Sequence, residues 1–181
     1  MNRQKQNVFL LVMLMSGLTA SAQLQVDASY SPQQLVEDVL IGGGVEVSNF
    51  QFSGNAQSRG YFDGSASNIG LQSGIIISSG RVADAPGPNG TPISDLGTEF
   101  NGAGDPALTS LSGVPTYDAA YLEFDFVPSS DTVQFNYVFA SNEYMLYVGT
   151  GVNDVFAFLI SGPGIVGEQN VALIPGTTTP V

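Results

Sequence analysis

The chain has 181 residues, with four Lys or Arg against sixteen Asp or Glu and no His, Cys or Trp. Without His there is no Ser-His-Asp or Cys-His nucleophile and no His-ligated metal, and without Cys there is no disulfide, zinc–thiolate centre, iron–sulfur centre or lipid-modified cysteine. So few cations also exclude nucleic acid as a partner, because that affinity rests on Lys and Arg neutralising phosphates; what is left is a binding or structural module, or an enzyme built on carboxylates.

Residues 1–22 read as a secretory signal peptide. Arg3 and Lys5 make a positive n-region, residues 8–15 are an unbroken apolar run, and Ala20-Ser21-Ala22 offers the small-x-small cleavage site, with Gln23 as the mature start. The apolar run is far shorter than the roughly 20 residues that span a bilayer. Cleavage removes both leader cations and leaves Arg59 and Arg81 against all sixteen acids. Like charge at that density favours solubility and opposes compaction, which bound divalent cations would relieve.

The remaining ~160 residues are one domain's worth. Ser31-Pro32-Gln33-Gln34 predicts a helix start, with Ser31 as N-cap, Pro32 at the first helical position and Gln34 completing a capping box. Leu35, Val36, Val39 and Leu40 share one face, and Gly42-Gly43-Gly44 stops the helix. A helix this short needs a sheet to pack on. Residues 45–52 alternate, and 74–80 form an apolar run bounded by glycines, so both predict strands. Between Arg81 and Gly104 the pattern fails: turn chemistry dominates, there is little to bury, and a loop this long is either functional or mobile. Asp105-Pro106, with Leu108, Leu111 and Gly113, then predicts a second short helix.

Strand chemistry resumes at 121–127, where Leu122, Phe124 and Phe126 face one way and Glu123 and Asp125 the other. Residues 133–139 align Val133, Phe135, Tyr137 and Phe139, which puts Tyr137 in the core. Residues 155–160 are apolar on both faces, as in a central strand, and 171–174 form the last predicted strand. The expectation is a mainly β fold, an antiparallel β-sandwich with one or two short helices, filling 23–181 behind the signal peptide. Residues 174–181 bring no closing element, so the domain is expected to be C-terminally truncated with a sheet edge left open.

Several blocks, in order, carry a resemblance: residues 30–36, Gly60-Tyr61-Phe62, 67–80, 117–126, 135–141, 153–158, Ser161-Gly162-Pro163-Gly164 and 174–178. Together they resemble the choice-of-anchor L domain of exported bacterial surface proteins. The resemblance implies cell-surface or extracellular location, often in Bacteroidetes with type IX secretion, and an anchor that varies between proteins and is absent from this chain. It implies no particular activity. Asn142-Glu143-Tyr144 stands where the family usually has two acids and a Tyr, and Met145-Leu146 where members often have Pro-Glu, which weakens any acidic site there.

Candidate chemistry centres on acids and tyrosines. Calcium takes six to eight oxygen ligands, so Asp125, Glu143 and Asp154, in or beside core strands, are candidate ligands of a structural Ca²⁺; the alternative is that Glu123 and Asp125 form the wet face of an alternating strand. Glu123 with Glu143 would be the acid pair of a glycoside hydrolase, although sequence sets no spacing between them. Among Tyr61, Tyr117, Tyr121, Tyr137, Tyr144 and Tyr147, the last two are the best exposed candidates for contact with a glycan or a protein, and ordinary packing is the alternative. Residues 63–68 lack the Gly and Glu of a calcium loop, and Gly42-Gly43-Gly44 lacks the Lys and Ser/Thr of a phosphate loop. Asn89-Gly90-Thr91 is an N-glycosylation sequon, and Asp131-Thr132-Val133 resembles a bacterial O-glycosylation pattern. The expected function is non-enzymatic adhesion or surface interaction; the alternative is a secreted lectin or two-carboxylate hydrolase.

Overall fold

The computed structural model describes residues 23–41, 45–87, 97–141, 147–152 and 154–181. The signal peptide with Ala20 and Ala22, the triple glycine, the Asn89 sequon, Glu143 and Tyr144 lie outside the described residues. Gln23 is exposed at the start of the described chain.

The architecture is mainly β and wholly antiparallel. Strands β1 (Gln25–Asp27), β3 (Arg59–Asp63) and β4 (Ser73–Ile77) form one sheet in the order β1-β3-β4. Strands β2 (Glu46–Ser53) and β5 (Tyr121–Val127) form a second, and β6 (Leu159–Ile160) with β7 (Gln169–Asn170) a third. Two short helices, α1 (Pro32–Gln34) and α2 (Pro106–Ser112), complete it with single 3₁₀ turns at Ala56–Ser58 and Val82–Asp84. Among the described residues no helix is long and apolar enough to cross a membrane.

Helix α1 starts as its sequence dictates. The Ser31 hydroxyl accepts from the Gln34 N–H at 3.2 Å, and the Gln34 side chain accepts from the Ser31 N–H at 2.9 Å. The helix then widens into a π-helical stretch, Leu35–Leu40, closed by an Ile41 N–H to Val36 carbonyl bond of 3.0 Å. This widening revises the expected apolar stripe. Leu35 and Val36 are fully buried and Val39 is half-buried, but Leu40 is 40% exposed because each residue of a wider turn advances less around the axis. The helical segment packs on β2 and also on β3 and β4, and so ties the two larger sheets together.

The rest of the core is small. Phe62, Val82 and Ala172 are the other buried apolar residues among those described. Ser58 is buried as well, and its hydroxyl donates to the Gly80 carbonyl at 3.2 Å. Gly74 lets Phe62 close on β4, since a Cβ there would lie 3.0 Å from the ring.

Helix α2 forms as predicted. The Asp105 carboxylate accepts from the N–H groups of Ala107 (2.8 Å) and Leu108 (3.1 Å), and Gly113 ends the helix at φ 72°. The preceding segment is held by hydrogen bonds more than by burial. Asp118, itself at φ 50°, accepts from the Phe100 N–H at 3.1 Å and from the Gly102 N–H, and Ala103 bridges to Tyr117. Gly104 lies so close to Thr116 that a Cβ would fall 1.9 Å from its carbonyl oxygen. Val82, inside the stretch expected to have little to bury, is fully buried. Residues 88–96 of that stretch lie outside the described residues.

The structure corrects several predicted strands. β5 matches its expected range, β2 matches its own to within a residue, β4 starts one residue early and ends three short of its expected end, and β1 and β3 appear where no strand was expected. Residues 133–139 join no ladder, and of 155–160 only Leu159–Ile160 pairs. The last strand is Gln169–Asn170 rather than 171–174, where Leu173 makes an isolated bridge to Pro180.

Candidate functional site

The acids expected at a metal site are placed by β5. Its alternation half-buries Leu122, Phe124 and Phe126 and leaves Glu123 and Asp125 on the exposed face, opposite Gln51 and Ser48 of β2. Between Ser48 and Gln51 the register shifts, and Asn49 sits at φ 55°. Its side-chain amide donates to Asp125, so this carboxylate serves the bulge. Asp154 is exposed on the segment that carries Phe156 and Phe158, and Glu143, the partner of both the calcium set and the Glu123 pair, is undescribed. Among the described residues no group of three acids comes together to hold a metal ion.

The carboxylates with shifted titration lie elsewhere. Hydrogen bonds from the side chain and then the backbone of Ser29 hold Asp27 below its ordinary value, and Ser65 does the same for Asp63. Asp27 is exposed and Asp63 half-buried, at the ends of β1 and β3, and they act as turn caps. A surface cleft of about 520 Å³ is lined by Glu37, Ile41, Val45, Glu46 and Val47. Its described lining pairs two acids with aliphatic side chains.

Tyrosines are spread over the fold. Tyr30 stacks on Tyr61 at 5.4 Å, while Tyr117 is 75% exposed. Tyr147 is half-buried at the head of a turn, where its carbonyl accepts from the N–H (3.0 Å) and hydroxyl (2.6 Å) of Thr150.

The most distinctive surface is one that sequence reasoning assigned to the core. Phe135 lies 4.3 Å from Phe158, and Tyr137 lies 5.5 Å from both Phe156 and Phe158. Phe139 stacks on Phe156 at 5.7 Å, and Phe156 meets Phe158 at 4.8 Å. A two-residue step up one segment matches a two-residue step down the other, the register of antiparallel neighbours. Yet Phe135, Tyr137 and Phe139 are 42%, 40% and 44% exposed, because nothing described covers their outer faces. Aromatic residues at every second position in both segments were the sequence signal; alternation alone does not say whether such a face is buried or displayed.

No curated protein and no solved structure matches the chain. Residues 24–181, from just before β1 to the last residue of the sequence given, match the choice-of-anchor L domain, and the chain belongs to that family.

Proposed function

We propose that the chain is an exported, non-enzymatic module that works at a bacterial cell surface by adhesion or surface interaction. Family membership supports surface association, and the leader pattern of Arg3, Lys5, residues 8–15 and Ala20-Ser21-Ala22 supports export. The observation that carries the contact role is the exposed row of Phe135, Tyr137 and Phe139 beside Phe156 and Phe158. Exposed apolar patches mark interaction sites, and aromatic side chains concentrate the energy of protein interfaces.

The test is attachment of cells lacking the gene, restored with the wild-type chain or with the Phe135→Ser/Tyr137→Ser double variant secreted to equal level. Attachment recovered by the wild type and not by the variant is expected. Equal recovery by both overturns the role of this face, and turnover of a glycan panel would overturn the non-enzymatic reading.

A further inference from the structure

Segment 133–139 is unusual in its backbone as well as its rings. Every residue from 131 to 140 is exposed, and among the described residues 133–140 make no backbone–backbone hydrogen bond. Phe135, Tyr137 and Phe139 turn the same way, onto Phe156 and Phe158, so side chains alternate as along a strand, and the unbonded N–H and C=O groups form an edge that another strand fits. One neighbour is already in register: Phe156 and Phe158 meet Tyr137 and Phe135 across the pair. The backbone of Phe158 is itself committed, accepting from the Val171 N–H at 2.8 Å.

Charge narrows the choice of occupant. Asp131 lies two residues before Val133, and Asp154 two before Phe156, so the antiparallel register sets an exposed acid at each end of the ring row. The mature chain has only two cations to answer its sixteen acids. Arg59 lies over the Phe52 ring at 4.5 Å, and Arg81 reaches Asp84 at 3.9 Å. A second copy would therefore bring more negative charge to a negative rim, and like charges oppose such an approach.

We infer that segment 133–139 is the acceptor edge for an extended, cationic segment of a partner protein. The incoming strand hydrogen-bonds the free backbone, its apolar side chains cover the rings, and its Lys or Arg residues meet Asp131 and Asp154. This rests on the reading that the aromatic face makes the surface contact.

The probe is a short peptide that alternates valine with threonine, carries a lysine at each end on the valine face, and ends in tryptophan. The chain has no Trp, so fluorescence anisotropy reads the peptide alone. Saturable binding to the mature chain is expected, about tenfold weaker at ~1 M salt, where the Debye length falls to about 3 Å. Phe135→Ser/Tyr137→Ser should abolish binding. The Asp131→Asn/Asp154→Asn variant touches no packing, and it should weaken binding about tenfold through the lost rim charge alone. A peptide N-methylated at alternate residues cannot pair along the edge and should not bind. Equal binding of a glutamate-for-lysine peptide overturns the cationic partner, and equal binding of the N-methylated peptide overturns strand addition. Sedimentation showing a dimer that excludes the peptide assigns the edge to a second copy instead. Attachment that depends on Phe135 and Tyr137, with no peptide bound, overturns this inference and leaves the contact role standing.

Discussion

Strand β5 and segment 133–139 are written in the same pattern and end in different states. In β5, Leu122, Phe124 and Phe126 alternate with exposed Glu123 and Asp125, and the strand is laddered along β2. β2 in turn lies against the helical segment whose Leu35 and Val36 are completely buried. In 133–139, Val133, Phe135, Tyr137 and Phe139 alternate just as regularly, touch rings across an antiparallel register, and remain 40 to 55% exposed. The difference lies in the third layer. A two-sided pattern defines a face, but burial needs an element on top of it, and among the described residues the first region alone has one, the short helix.

The comparison breaks most easily through the core. Leu35→Ala removes a fully buried side chain at the junction of the helix with the sheets and should cost about 2–5 kcal/mol. Phe135→Ala removes a larger side chain that is 42% exposed and should cost about 1 kcal/mol, since much of its area is already in water. Urea unfolding of the two variants compares them directly. Equal losses would mean that the ring row is as much a core as Leu35, and the distinction would fall.

Why β5 and α2 were legible while 133–139 was misjudged follows from where their determinants lie. The end signals of α2, Asp105, Pro106 and Gly113, are local, and the structure uses each of them as read. The Ser31–Gln34 capping box is local too, but the widening that swings Leu40 out of the stripe has no such end signal to announce it. Strand β1 is three residues long and β3 contains Gly60, so neither offers an alternating run; both exist because they pair with neighbours distant in sequence. Asp125 was legible as an exposed acid, but Asn49 in a left-handed bulge facing it was not, because a register shift leaves no mark in composition. The exposed ring row was hidden for the opposite reason, its pattern being that of a buried strand.

A smaller effect separates burial from hydrogen bonding within the packed region. Segment 97–104 is held by the Asp118 carboxylate and by the close approach of Gly104 to Thr116. In Gly104→Ala the new Cβ meets backbone rather than a flexible side chain, so the two segments must part, at about 1–3 kcal/mol. The expected result is a lower urea midpoint with accelerated amide exchange at Phe100 and Gly102, while Leu35 and Val36 keep their protection. If exchange rises uniformly through the helix as well, this latch and the helical core form one cooperative unit rather than two.

The smallest effect is electrostatic and belongs to the ends of β1 and β3. Serine donors favour the charged forms of Asp27 and Asp63 in the folded chain, so both titrate below the ordinary 3.8. A carboxylate whose folded value is depressed contributes stability that is fully present above its unfolded value and is lost as pH falls through the folded one. The caps' contribution should therefore fade as pH is lowered from about 5 to about 2, so the melting-temperature gap between the wild type and Asp27→Asn/Asp63→Asn should narrow over that range. The gap is small, because both groups face water and their bonds compete with solvent. What makes it informative is its location. Asp27 and Asp63 cap strands of the ladder that the helix covers, whereas Asp131 and Asp154 flank the uncovered rings. An acid slope left unchanged by Asp27→Asn/Asp63→Asn would mean that the serine bonds to these caps add nothing to the stability of the laddered sheet.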